Sequence, residues 1–101
     1  MFAADVPAAK TRLMAAEQRP VAASAFGQPA GVATWRTVPS FALVSRQDHA
    51  IDPAAERFMA QRAGSFTIEI DSSHVAMISH PAVVTDLIAR AARTAARATA
   101  K

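Results

Sequence analysis

The stretch Ser40–Ile70, SFALVSRQDHAIDPAAERFMAQRAGSFTIEI, reads as strand, helix, strand. Ser40-Phe41-Ala42-Leu43-Val44-Ser45 follows Pro39 and is a short apolar run, suited to a strand covered on both faces. Arg46-Gln47-Asp48-His49 ends it in a polar loop. Asp52 then offers an N-cap and Pro53 a first helical residue, and Gly64 stops the helix near its C-terminus. Ala55, Phe58, Met59 and Ala63 are expected on its inner face. Phe66-Thr67-Ile68-Glu69-Ile70 alternates apolar and polar strictly, as a strand with one wetter face does at a sheet edge. Two strands joined through a helix form a βαβ unit, whose strands run parallel.

Outward from this unit the patterns are helical. On the N-terminal side, Asp5 is placed to cap a helix with Pro7 in its first turn. Ala8 to Gln18 is rich in helix formers, with Leu13 and Met14 as bulky apolar members, and Pro20 marks the end. Val21 to Val38, with Gly27, Pro29 and Gly31, predicts an irregular segment anchored by Trp35. On the C-terminal side, Asp71 to Ser79 reads as a loop. Ser79-His80-Pro81 opens a last helix whose Val83, Val84, Leu87, Ile88, Ala91 and Ala95 form an apolar stripe. The order is helix, strand, helix, strand, helix, an α/β chain with two parallel strands.

Composition narrows the function classes. Of 101 residues, 51% are hydrophobic and 19% charged, which suits a core-forming domain and not a disordered one. Cysteine is absent, so neither disulfides nor thiolate metal sites can brace the chain, in keeping with a reducing cytoplasm. The opening MFAADVPAAK has no basic then apolar leader pattern, and no run of about 18 apolar residues predicts a membrane span. The net charge of +3 is dispersed except for Arg90, Arg93, Arg97 and Lys101. Their spacing of three and four makes one stripe on a helix, read as a solvated face near a C-terminus and not as a nucleic-acid site.

Parallel strands put the loops that follow them along one edge of the sheet, where ligands of open α/β folds bind. Asp48 follows the first strand and His74 lies in the loop after the second. A carboxylate that accepts a hydrogen bond from an imidazole fixes its tautomer and stabilises the imidazolium formed in proton transfer. Spacing alone signals this weakly, since loop Asp residues form turns and loop His residues sit on surfaces. His49 adjoins the acid in sequence and is read as a loop residue, His80 as a helix-start residue. Metal binding by His49, His74, His80 and Asp48 is not expected, because these histidines share no helix face at ligand spacing.

The words around these residues add a resemblance. Trp35 to Val44, followed by Asp48, Ile51 and Pro53, resembles the seventh strand and acid loop of α/β-hydrolases. Arg57 to Gly64 resembles the helix that follows. Ser72-Ser73-His74-Val75-Ala76-Met77-Ile78-Ser79-His80-Pro81 resembles the histidine loop of the esterase-like group related to plant methylesterases and hydroxynitrile lyases. Ala4 to Pro7 through Gln18 to Pro20 is similar to the end of the cap region in bacterial members. The resemblance implies a C-terminal fragment of an α/β-hydrolase fold. Residues 1–34 would be the end of the cap region and a connecting segment, and 35–101 the last two strands with their helices. It implies Asp48 as the triad acid and His74 as the general base.

The family pattern also requires Gly-x-Ser-x-Gly, with the oxyanion donors beside it. Gly27, Gly31 and Gly64 are the only glycines, and no two of them frame a serine. The expectation is therefore an acid/histidine portion of an acyl hydrolase acting on a carboxylic ester or similar acyl substrate, inactive alone, with its nucleophile supplied by an N-terminal hydrolase half, either a separate chain or missing upstream sequence. The alternative is a non-catalytic remnant, or a module binding a small ligand or partner. No cofactor, nucleic-acid or membrane partner is expected. Alone, a chain with an uncovered strand edge is expected to self-associate or pack loosely.

Overall fold

The computed structural model describes residues 2–100. Lys101, the end of the predicted arginine stripe, lies outside the described residues. Helix α1 spans Ala8–Glu17, strand β1 Phe41–Ser45, helix α2 Pro53–Arg62, strand β2 Phe66–Ile70, the short helix α3 Ala76–Ser79 and helix α4 Pro81–Thr99. β1 and β2 pair in parallel with Phe41 opposite Phe66 and Ser45 opposite Ile70. This is the predicted two-stranded parallel unit.

The α2 crossover begins and ends as its sequence dictates. The Asp52 carboxylate accepts the Ala54 N–H at 2.8 Å, with Pro53 in the first turn. Gly64 takes φ +62°, a left-handed conformation that ends the helix at low steric cost. Its inner face keeps Ala63 of the expected residues and differs at the others. Ala60 is buried and Glu56 and Ala63 are half-buried, whereas Phe58 and Met59 are 63% and 51% exposed and Ala55 is exposed too. Residues 56, 60 and 63 follow the i, i+4, i+7 spacing of one helix face. Hydrophobicity alone chose the wrong side, because a small residue lets α2 sit close on β1.

Alternation along β2 separates its two covers. Glu69 receives the Arg57 guanidinium of α2 through two bonds of 2.8 and 2.9 Å. Phe66, on the other face, lies under the Arg90 guanidinium of α4 at 3.7 Å. Arg90 is thus no purely solvated member of its stripe; its charge covers an aromatic ring. Val83, Val84, Leu87 and Ala91 of α4 are half-buried, whereas Ile88 is 64% exposed and Ala95 exposed. The segment read as loop before this helix contains α3, and His80 occupies the N-cap of α4 without a side-chain capping bond.

At the N-terminal end Asp5 does not cap α1. Pro7 holds the N-cap position, and the Asp5 carboxylate instead reaches across to Ser73. Residues 18–38 are irregular apart from two 3₁₀ turns, Ala23–Gly27 and Thr34–Arg36. Trp35 is half-buried, with Arg36 and Arg62 over its ring at 5.2 and 5.5 Å. It anchors by cation–π contact with the end of α2 instead of entering a core. The buried apolar residues, Val6, Val44, Ala60, Val75 and Ala76, are small and gather largely at the carboxyl end of the strands. No helix among the described residues is long and apolar enough to cross a membrane.

Candidate active site

The loops after β1 and β2 are laced together before any catalytic side chain is considered. The Arg46 N–H donates to the Ile70 carbonyl at 2.9 Å, and the Gln47 N–H to the Ser72 carbonyl at 3.2 Å. The Ser72 hydroxyl, fully buried, donates to that of Ser45 at 2.9 Å. An ion pair between Arg46 and Asp71 at 2.8 Å closes the outer side. These bonds fix the parallel ends against one another, so residues three or four positions beyond them have little freedom.

Asp48 and His74 meet at this edge. His74 Nδ1 lies 2.6 Å from Asp48 Oδ2, and the Asp48 side chain has no exposed surface. The other carboxylate oxygen accepts the backbone N–H groups of Ala50 at 2.6 Å and Ile51 at 3.0 Å. Burial pushes the Asp48 carboxyl up, but the hydrogen bonds from His74, Ile51 and Ala50 outweigh it and hold the group at about 2. It is therefore an anion at neutral pH and can only accept. The proton between the pair consequently belongs to His74 Nδ1, so that in the neutral ring Nε2 is the nitrogen with the lone pair. That is the tautomer a general base requires.

The profile of the alpha/beta hydrolase family matches residues 1–87. The chain belongs to that family. None of the curated proteins and none of the solved structures compared with it matches.

Within this family member the sequence-derived site residues divide cleanly. Asp48 and His74 come together. His49 is exposed. His80 bonds the Ser79 hydroxyl at 2.9 Å and stands 3.7 Å from the Asp5 carboxylate. Among the described residues no serine hydroxyl is hydrogen-bonded to the His74 ring.

Three contributors were not visible in sequence. The Phe2 ring lies 4.7 Å from the His74 ring, tilted by 41°. Asp5 accepts the Ser73 N–H at 3.0 Å. Burial raises the Asp5 carboxyl, yet hydrogen bonding from Ser73 and Ser79 holds it at about 2. Glu56 on α2 accepts the Ser45 N–H at 3.0 Å and has a carboxylate oxygen within 4.8 Å of the Asp48 and His74 donor atoms. The i, i+4 phase from Glu56 to Ala60 was the one available signal for it. Asp48, Glu56 and His74 offer ligand types a cation accepts, but Asp48 and His74 already spend facing atoms on each other at 2.6 Å. The arrangement suits proton transfer better than metal binding.

Proposed function

We propose that this chain supplies the acid and the histidine of an acyl hydrolase of the esterase-like group related to plant methylesterases and hydroxynitrile lyases. It is read as a C-terminal portion, the last two strands of a larger sheet. The observation that carries the reading is the 2.6 Å contact of His74 Nδ1 with a buried, ionised Asp48. No Gly-x-Ser-x-Gly occurs in the sequence, so a serine from a complementary N-terminal hydrolase half, together with its oxyanion donors, completes the triad.

The steps follow from the tautomer. His74 Nε2 removes the proton of the serine hydroxyl as its oxygen bonds to the acyl carbon of a small carboxylic ester. Asp48 stabilises the imidazolium without taking its proton. The imidazolium then gives that proton to the departing alkoxide. Water repeats the sequence on the acyl-serine, releasing the acid and restoring both residues.

The test is to co-express the chain with the upstream reading frame and assay an activated ester. An active complex is expected to lose about 10³-fold or more in turnover with His74→Ala, the scale at which triad members act. Unchanged turnover would remove His74 from the mechanism. The same complex binding a ligand without turning over any ester would favour a non-catalytic module.

A further inference from the structure

Glu56 is a half-buried carboxyl that the steps above do not use. Its Oε2 is bound to the Ser45 N–H at the carboxyl end of β1, which removes much of its freedom. It faces a cavity of ≈ 230 Å³ whose other walls include Leu43, Ala76, Val84 and Leu87, all apolar, and His74. The charged or titratable groups facing it are Asp48 and His74 from the two loops. The side chains that β1, α3 and α4 present to it are apolar apart from Ser45. With both carboxylates ionised, two anions lie within 4.8 Å of the imidazole and of one another.

We propose that Glu56 is a positioning residue for the Asp48–His74 pair, a second carboxylate carried by α2 and anchored to the backbone of β1, which keeps the imidazole in a site doubly prepared for positive charge. This rests on the reading of Asp48 and His74 as the acid and base. Glu56 touches no reacting atom; it acts through the field and through its neighbours. Burial raises its pKa, as does the adjacent Asp48 charge, while the bond from Ser45 opposes both. Glu56 therefore takes up a proton before Asp48 as pH falls, and the pair passes through a state with one anion instead of two.

The experiment is NMR on the full chain, following the side-chain carboxyl carbons and the downfield Nδ1–H proton of His74 with pH. In the unaltered chain Glu56 is expected to titrate above the ordinary glutamate range, and the Nδ1–H resonance to step through that same transition. Asp48→Asn is expected to move the Glu56 transition down, because a neighbouring anion is gone. Glu56→Gln, which keeps an acceptor for Ser45, is expected to abolish the step while the Nδ1–H resonance persists. A resonance indifferent to the Glu56 transition overturns the proposal and leaves the acid/base pair standing. So does a Glu56 transition that Asp48→Asn does not move, a measurement that serves even where Glu56→Gln fails to fold. Absence of any downfield Nδ1–H signal sinks the pair itself, and the proposal with it.

Discussion

The Asp5 carboxylate accepts the backbone N–H of Ser73 at 3.0 Å, across 68 positions of sequence, and so ties the start of the chain to the loop that carries His74. Val6 beside it is buried, which seats the same segment by apolar contact. The N-terminal segment thus acts on the site through the histidine loop, and the Phe2 ring extends that contact to the imidazole itself.

Asp5→Ala leaves the Ser73 N–H without its acceptor. A charge-assisted hydrogen bond of this kind, partly open to water, contributes about 1 kcal/mol. The expected outcome is a drop of that size in unfolding free energy, together with faster amide exchange at Ser73 and His74. Exchange confined to α1 would show that the tie is not what orders the loop.

Acid should unfold the chain through two carboxyls. Asp5 and Asp48 both sit at about 2 when folded, against an ordinary 3.8. A depressed folded value means that the unfolded chain binds more protons between the two values. The stability these groups contribute is complete above the ordinary value and is lost as pH falls toward about 2. Glu56 works in the opposite sense, its raised value favouring the folded state as it protonates. Denaturant midpoints measured across the acid range should fall between about pH 5 and pH 2. A midpoint that climbs throughout that interval would contradict the assignment.

Asp48→Ala and Asp48→Asn separate structure from chemistry. Alanine removes the acceptor of two loop N–H groups and of the imidazole at once, from a buried position. The expected cost is about 2–4 kcal/mol. Asparagine keeps an acceptor for Ala50 and Ile51 but can present an N–H to His74, which drives the ring to the other tautomer. It should cost less stability than alanine and still disturb the Nδ1–H resonance. Equal stability losses for the two variants would mean that the backbone bonds matter little.

What sequence revealed here follows from how locally each feature is encoded. Asp52, Pro53 and Gly64 act on their own few residues, so the bounds of α2 were readable, and the strict alternation from Phe66 to Ile70 set β2. The Asp48–His74 meeting was readable at one remove, because parallel strands place both loops at one edge. Asp5 looks like a cap in sequence because a carboxylate before a helix has the same local appearance whether it caps or crosses the molecule. Bulk points to Phe58 and Met59 as the inner face of α2, but helical phase decides it, and the small Ala60 makes the close contact. The Glu56 interaction needs a tertiary neighbour and carries no local pattern beyond its spacing from Ala60.

Gly64→Ala tests the end of α2 directly. A Cβ there meets no atom within 4 Å, so any penalty comes from the backbone at φ +62° and not from crowding. A left-handed non-glycine residue costs about 1 kcal/mol. Asparagine, which tolerates this conformation better, should cost less. An alanine variant as stable as the original would indicate that the turn relaxes out of the left-handed region.

Self-association is the last expectation, and it follows from what remains uncovered. β1 pairs only with β2 among the described residues, which leaves its other edge unpaired. Beside that strand Val38 is 57% and Ile88 64% exposed, and both border an apolar hollow with Phe41. An unpaired strand edge next to exposed apolar surface invites pairing with another chain. Sedimentation of the chain by itself should therefore show mass rising with concentration. Ile88→Arg adds charge at an exposed site, so it should weaken association with a change in folding stability within about 0.5 kcal/mol. Addition of the N-terminal half proposed above should suppress association in the unaltered chain, since on that reading it would cover the same edge. A sharply unfolding monomer, unchanged over a wide concentration range, would mean that the edge is protected without a partner.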